Sequence, residues 1–454
     1  MNLPTPTTAN APGEATTGGR AAFLTYGCRL NQYDTQGIRQ AILELGYTEV
    51  DGDRDLDLIV VNSCTVTARA GERVESRVRT LSRRNPAATI LVTGCLTDDD
   101  RARLAEIPAV EYIVGNEEKD LIPAIITGKT AAGQESRRRA DRSIFDLKVD
   151  AFHGHTRAFV KVQDGCDSFC TYCIIPYLRG SSRSRGPEDV VEEATRLATA
   201  GHRELVLTGI HLREYGKDLG VVDGLVTLLR DLRAIDGVDR VRLSSIGERA
   251  FTDPFLELFA SDPGLCPSFH VPLQSGCDTV LERMRRDYTV AEYEHAIERI
   301  RAVLPRATIS TDLMVGFPGE TEEEFEASLD TCRRVRFSSI HRFPYSPRPR
   351  TKAARFPDHV DPAVKQERMA RVNALAKELS RVDREERIGH RVDVLLENRR
   401  QGISLGLSRE GIRVSFPDGF EGERGEEVSA RLIELTDDGL LGVPEPREGG
   451  RHDR

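Results

Sequence analysis

Residues 157–173 read RAFVKVQDGCDSFCTYC. The first ten form a strand candidate. It runs straight into three cysteines, Cys166, Cys170 and Cys173, with gaps of three and two residues. A disulfide takes two of them, whereas a tetrahedral zinc takes four ligands. A cluster of four irons held by three thiolates leaves one iron open to a further ligand. Spacing alone leaves open a zinc site completed by a distant fourth residue. The position at the carboxyl end of a strand, where a loop can wrap round a cofactor, favours the open cluster.

Downstream, five more strand candidates follow, separated by helical stretches: ELVLTGI (204–210), RVRLSSI (240–246), SFHVPLQ (268–274), TISTDLMVGF (308–317) and SSIHRFPYS (338–346). Thr289 with Glu292 and Thr321 with Glu324 match the capping box that opens a helix. Pro187 suits a first helical position and Gly201 the point just past an end. Six such units in a row predict a partial TIM-like (β/α)6 barrel with its site on the carboxyl face.

Upstream, AAFLTYGC (21–28) reads as a strand and YDTQGIRQAILELG (33–46) as a helix with Ile38, Ala41, Ile42 and Leu45 on one face. LDLIVVNSC (56–64), ATILVTGC (88–95) and EYIVGN (111–116) repeat the strand pattern, which predicts an open parallel α/β sheet. Cys28, Cys64 and Cys95 fall at the ends of three of these strands, 36 and 31 residues apart. The carboxyl edge of such a sheet gathers ligands. From spacing, a second metal site and scattered core cysteines both stand open.

After the barrel series, residues 364–389 read as a long amphipathic helix, and from about Gly389 short strands broken by Gly, Pro and Asp predict a small β-barrel. The expected division is a disordered leader at 1–20, an α/β domain at 21–145, the barrel core at 146–380, the small β-barrel at 381–446 and a disordered tail at 447–454. An Arg-rich stretch, 133–143, joins the first two domains.

With 454 residues the chain needs no covalent staple, and no stretch approaches the length of a membrane span. A cytoplasmic protein is expected, in which closely spaced cysteines signal metal or catalysis. The net charge of -9 excludes a uniformly basic nucleic-acid binder but not local clusters, such as Arg179, Arg183 and Arg185 or Arg348, Arg350, Lys352 and Arg355.

Taken together, TYGCRLNQYDT (25–35), VVNSCTVT (60–67), VTGC (92–95), DGCDSFCTYCIIPYLRGSSRSR (164–185), LTGIH (207–211), HVPLQSGCDTVLERMRR (270–286), DLMVGFPGETEEEF (312–325) and FPYSPRPRTKAARF (343–356) resemble the radical S-adenosylmethionine methylthiotransferases. The MtaB type, which acts on N6-threonylcarbamoyladenosine at tRNA position 37, is the nearest in pattern. The tail more weakly resembles that family's RNA-binding TRAM domain.

The resemblance implies two [4Fe-4S] clusters. One, on Cys166, Cys170 and Cys173, takes S-adenosyl-L-methionine at its open iron; the other, auxiliary, sits on Cys28, Cys64 and Cys95. It also implies that the backbone at Tyr172 faces the adenine of that cofactor. Gln274 and Ser275, at a strand end, are further cofactor-binding candidates, and His211 and His341 are candidate site residues. Cys266, Cys277 and Cys332 belong to no motif. The chemistry belongs to the cofactors, so no side chain is assigned as catalytic. The implied partners are tRNA and an electron donor such as flavodoxin or ferredoxin, with the protein a monomer away from membranes. Two features depart from the family pattern: Leu212, Arg213 and Glu214 where a small Gly-containing run is common, and Arg350 and Lys352 where Gly and Pro are common. Competing expectations are action on isopentenyladenosine or on a ribosomal protein, and a non-catalytic iron-sulfur carrier or sensor that binds nucleic acid.

Overall fold

A computed structural model describes residues 18–64, 66–129, 143–152 and 154–446. Residues 1–17 of the expected leader, most of the Arg-rich stretch and the 447–454 tail lie outside the described residues. The chain forms two compact units, the first essentially up to Lys148 and the second from Val149 onward.

The first unit runs β1 (Arg20–Thr25), α1 (Arg29–Glu44), β2 (Thr48–Glu49), β3 (Leu58–Cys64), α2 (Ala68–Arg84), β4 (Thr89–Cys95), α3 (Asp98–Ala105), β5 (Val110–Ile113) and α4 (Ile122–Ile126). Its five strands lie in the order β2-β1-β3-β4-β5, with every pair parallel. β3 is buried on both faces, which is why it reads as an unbroken apolar run. Its alternate residues serve opposite layers: Ile59 and Val61 pack with Val74, Val78 and Leu81 of α2, while Leu58 and Val60 pack with Ile38 and Ile42 of α1.

The second unit begins with β6 (Arg157–Lys161), β7 (Gln163–Asp164), α5 (Ile175–Arg179), β8 (Arg183–Ser184), α6 (Pro187–Thr199), β9 (Glu204–Thr208), α7 (Gly224–Arg233), β10 (Arg240–Leu243), α8 (Asp253–Ser261) and β11 (Ser268–His270). It continues with α9 (Asp278–Met284), α10 (Val290–Val303), β12 (Thr308–Val315), α11 (Glu322–Val335), β13 (Ser339–Pro344) and the long α12 (Pro362–Glu386). All six expected barrel strands are present. They form two parallel three-stranded sheets, β10-β9-β6 and β11-β12-β13, linked by single bridges at Val241 with Leu265 and Ser245 with His270. Both expected capping boxes form, and Pro187 opens α6.

β14 (Arg391–Arg400), β15 (Ile403–Ser408), β16 (Arg413–Ser415), β17 (Glu427–Leu435) and β18 (Leu440–Pro444) close into the small barrel. Val394, Leu396, Val414, Phe416, Ala430, Leu432 and Leu440 fill it. This barrel packs into the same compact unit as the six-strand core. The contacts explain why: Arg240, 1% exposed, donates from Nε to Glu427 at 2.7 Å and from its terminal nitrogens to the carbonyls of Leu407 (3.0 Å) and Asp393 (2.9 Å). Arg242 donates to Glu204 at 2.6 Å and to the Ser408 carbonyl at 3.0 Å. Arg240 and Glu204 open β10 and β9, so the small barrel grips the amino ends of the core strands. Their carboxyl ends stay available for the cysteine loop.

Candidate active site

The loop carrying Cys166, Cys170 and Cys173 is clamped at its base. β7 pairs antiparallel with β8, and the Cys166 amide donates to the Gly180 carbonyl at 3.0 Å. Gly165 turns the chain there with φ +75°, and a Cβ on it would stand 1.9 Å from the Ser181 carbonyl oxygen, so only glycine fits. Beneath the turn, Asp164 accepts from Arg179 at 3.0 and 2.8 Å and pairs with Lys161 at 2.8 Å, all three side chains at most 4% exposed. Burial alone raises an acid, but Arg179 and Lys161 outweigh it and hold the Asp164 carboxyl well below the usual carboxylate range.

The far side of the loop is fastened to other elements. The Thr171 amide donates to Met284 O at 3.0 Å and its hydroxyl to Arg283 O at 2.9 Å, while Ala353 N donates to Thr171 O at 2.8 Å. Tyr172 packs against an apolar cluster that includes Val280, Met314, Phe317 and Phe343. Arg286 donates from Nη1 to Cys170 Sγ at 3.4 Å, with its guanidinium 4.8 Å over the Tyr288 ring. Sequence reading gave Arg286 no role; the one signal was its place inside the RMRR run. His211, a sequence candidate, lies beside the loop, with Nδ1 3.8 Å from Cys166 Sγ and 3.4 Å from Ser168 Oγ.

At the carboxyl ends of the core strands stand buried oxygens with no hydrogen-bond partner among the described residues: Thr208 Oγ1, Ser244 Oγ and Gln274 Oε1. Strand alternation puts Thr208 on the face of β9 that carries Glu204. Buried unpaired polar atoms are rare and ask for a ligand with matching donors. An ammonium group and ribose hydroxyls, both present in S-adenosylmethionine, are such donors, so these residues fit that cofactor. Gln274 also holds φ at +67°, unusual for a residue with a side chain. Ser275 behaves differently. It is fully buried and its hydroxyl lies 3.2 Å from that of Ser328, with Cys277 N donating to it at 3.3 Å.

In the first unit, Cys64 and Cys95 face each other at the ends of β3 and β4 in strand register. Gly27 has φ +98°, and a Cβ there would lie 2.7 Å from Cys64 Sγ, so the backbone leading into Cys28 lies directly against Cys64. Cys28 then caps α1 in an extended conformation, without a side-chain hydrogen bond to the helix. Asn31 ties the edge together by donating to Tyr26 O at 2.8 Å and Ser63 O at 2.9 Å. Asn116 Nδ2 stands 3.9 Å from Cys95 Sγ. The parallel register thus gathers cysteines that sequence spacing keeps apart.

Among the described residues, His270, Asp312 and His341 bring their ligand atoms within 4.8 Å of one another. No disulfide forms among the described residues; Cys266 and Cys332 are buried and Cys277 is half-buried.

The chain is similar to known proteins over most of its length. Residues 160–332 match the radical SAM superfamily model, and residues 20–115 match the model described as uncharacterized protein family UPF0004. The chain is 40% identical to the Bacillus subtilis protein named threonylcarbamoyladenosine tRNA methylthiotransferase MtaB, over 79% of this chain and 81% of that one. It is 37% identical to the Chlamydia pneumoniae protein of the same name, over 93% and 98%. It is 36% identical to a Pelotomaculum thermopropionicum tRNA-2-methylthio-N(6)-dimethylallyladenosine synthase, over 94% and 99%. Among solved structures, the radical S-adenosylmethionine methyltransferase TsrM of Kitasatospora setae shares the fold, with a TM-score of 0.53 and 16% identity over 74% of this chain and 76% of that one. No helix among the described residues is long and apolar enough to cross a membrane.

Proposed function

Because this chain belongs to the radical S-adenosylmethionine tRNA methylthiotransferases, we propose that it places a methylthio group on carbon 2 of N6-threonylcarbamoyladenosine at tRNA position 37. The observation that carries the reading is the pair of cysteine trios, each at the carboxyl edge of a parallel sheet, and each offers three thiols where a closed four-iron cluster takes four. Relatives named for the same modified adenosine support the choice of substrate.

Cys166, Cys170 and Cys173 would hold the cluster that takes S-adenosylmethionine, and Cys28, Cys64 and Cys95 the auxiliary one. Bound there, the cofactors would supply radical hydrogen abstraction and the transfer of sulfur. The protein's own residues orient and shield. The Asp164, Arg179 and Lys161 ion trio fixes the loop from below, and Thr171 fastens it from the side. Thr208, Ser244 and Gln274 offer acceptors to the cofactor's ammonium and hydroxyl groups. Arg286 donates toward Cys170, and the apolar cluster around Tyr172 keeps water and stray hydrogen donors from the radical. The electrons come from a small carrier such as flavodoxin or ferredoxin. The small C-terminal barrel grips RNA, and the enzyme works as a cytoplasmic monomer.

The test is nucleoside mass spectrometry of tRNA from a deletion strain with and without the restored gene. Loss and return of 2-methylthio-N6-threonylcarbamoyladenosine is the expected result. Loss of the methylthio group from isopentenyladenosine instead, in line with relatives named for that substrate, refutes the choice of substrate.

A further inference from the structure

One polar cluster in the second unit takes no part in the chemistry above. His270 ends β11, Asp312 lies on β12 and His341 on β13. His270 Nε2 stands 3.2 Å from Asp312 Oδ2, and His341 Nδ1 stands 3.8 Å from Asp312 Oδ1. The other ring nitrogen of His270 lies 3.1 Å from Ser310 Oγ. The two imidazoles stack, with centroids 5.1 Å apart and planes inclined by 29°.

The cluster adjoins the cysteine loop. Asp312 and His341 face each other in strand register, and the next pair on the same strand face is Met314 with Phe343. Met314 and Phe343 share an apolar cluster with Tyr172, the residue between Cys170 and Cys173. A group resting on Met314 and Phe343 therefore meets Asp312 and the imidazoles one pleat further down the strands.

The grouping of two histidines and a carboxylate suggests a divalent metal, but the hydrogen bonding of His270 opposes it. An imidazole binds a metal along its in-plane lone pair at about 2.0–2.1 Å. Both ring nitrogens of His270 already face protein oxygens, Asp312 Oδ2 at 3.2 Å and Ser310 Oγ at 3.1 Å. An organic ligand suits the cluster better, because imidazole N–H donors flank a carboxylate acceptor. The matching group carries donors and acceptors together.

We propose that His270, Asp312 and His341 form the specificity site that reads the N6 substituent of the target adenosine, accepting the threonylcarbamoyl group and rejecting the isopentenyl group. This rests on the function proposed above. The threonylcarbamoyl group brings a carboxylate, a hydroxyl and ureido N–H and C=O groups, whereas the isopentenyl group is pure hydrocarbon. Laid over this cluster, a hydrocarbon strips water from a carboxylate and two imidazoles and returns no hydrogen bond. Sites built to hydrogen-bond a substrate reject analogues lacking the partner far more strongly than apolar pockets distinguish sizes. His341, with 65% of its side chain exposed, is the member that reaches toward the ligand.

The experiment offers the reconstituted full-length enzyme tRNA bearing either modified adenosine and measures kcat and KM for each by mass spectrometry. The wild type is expected to prefer the threonylcarbamoyl substrate by at least about 100-fold. His341→Ala and Asp312→Asn each lower kcat/KM for that substrate by about 10- to 100-fold, chiefly through KM, the worth of one hydrogen bond to a charged group. His341→Gln, which keeps a donor, recovers part of the loss. Iron content and the cluster's electron paramagnetic resonance spectrum serve as the check on folding. Variants that keep the wild-type KM and preference overturn the proposal. So does one equivalent of zinc or manganese, beyond the cluster iron, that the wild type binds and His341→Ala loses. A wild type that prefers the isopentenyl substrate overturns the substrate reading itself, and shows it before any variant is made.

Discussion

Replacing Asp164 by Asn tests whether the buried ion trio holds the cysteine loop. The substitution keeps the shape and removes the charge. Arg179 and Lys161, 1% and 3% exposed, then face a neutral amide in a place with almost no water. Breaking a buried pair by removing one partner costs roughly 3–5 kcal/mol, which is about 150- to 5,000-fold in the equilibrium between the ordered and opened loop. The assay is iron retention after anaerobic reconstitution, made in a background where Cys28, Cys64 and Cys95 are Ala, so that only the cluster on this loop is counted. Asp164→Asn should fall clearly below the roughly four irons expected of that background, and its urea midpoint should drop. Adding Lys161→Met should recover part of the loss, because one fewer buried cation faces the neutral position. Because the folded carboxyl is held low, its contribution is complete above the unfolded value near 3.9 and disappears only as pH falls below it. The destabilisation should therefore be full at pH 7 and shrink in acid. An unchanged midpoint with full iron retention refutes the reasoning.

Cys64→Ala should leave reductive cleavage of S-adenosylmethionine partly intact while abolishing the methylthio product; product at the wild-type rate would show that the auxiliary role is misplaced. Arg286→Met removes a donor to Cys170 and should move the cluster's midpoint potential negative in a redox titration followed by electron paramagnetic resonance, whereas an unmoved potential sets the contact aside. Burial raises the Glu320 carboxyl to about 7 against the opposing Gly316 amide and Arg368. A raised acid stabilises most below its unfolded value and loses that contribution as pH rises through 7. Wild-type stability relative to Glu320→Gln should therefore decline between about pH 5 and 8, and a difference that stays flat across this range contradicts the shift.

The strand pattern was legible wherever a strand was long or fully buried, as in β3 and β12, because apolar runs and alternation carry that signal. The two-residue strands β2, β7 and β8 are too short to leave a pattern. The cysteine loop showed itself through local spacing. The nearness of Cys64 to Cys95 depends on parallel register, which no local spacing encodes. Arg286 reaches Cys170 only because Arg285 turns the chain at the end of α9 with φ +58°; in the sequence it is one arginine among many. Gln274 and Ser275 read alike as neighbours at a strand end. The backbone separates them, leaving the Gln274 oxygen without a partner among the described residues while directing the Ser275 hydroxyl toward α11. Arg240 and Arg242 passed as ordinary strand residues, since their partners in the small barrel lie more than 150 residues away.

The most direct measurement is iron content with electron paramagnetic resonance on three oxygen-free preparations: the wild type, the triple variant lacking Cys28, Cys64 and Cys95, and the triple variant lacking Cys166, Cys170 and Cys173. Two open clusters predict about eight irons in the first and about four in each of the others. S-adenosylmethionine should shift the spectrum of the variant that keeps Cys166, Cys170 and Cys173, and leave the other unmoved. A wild type with about four irons, or a retained loop cluster whose spectrum ignores the cofactor, contradicts the account.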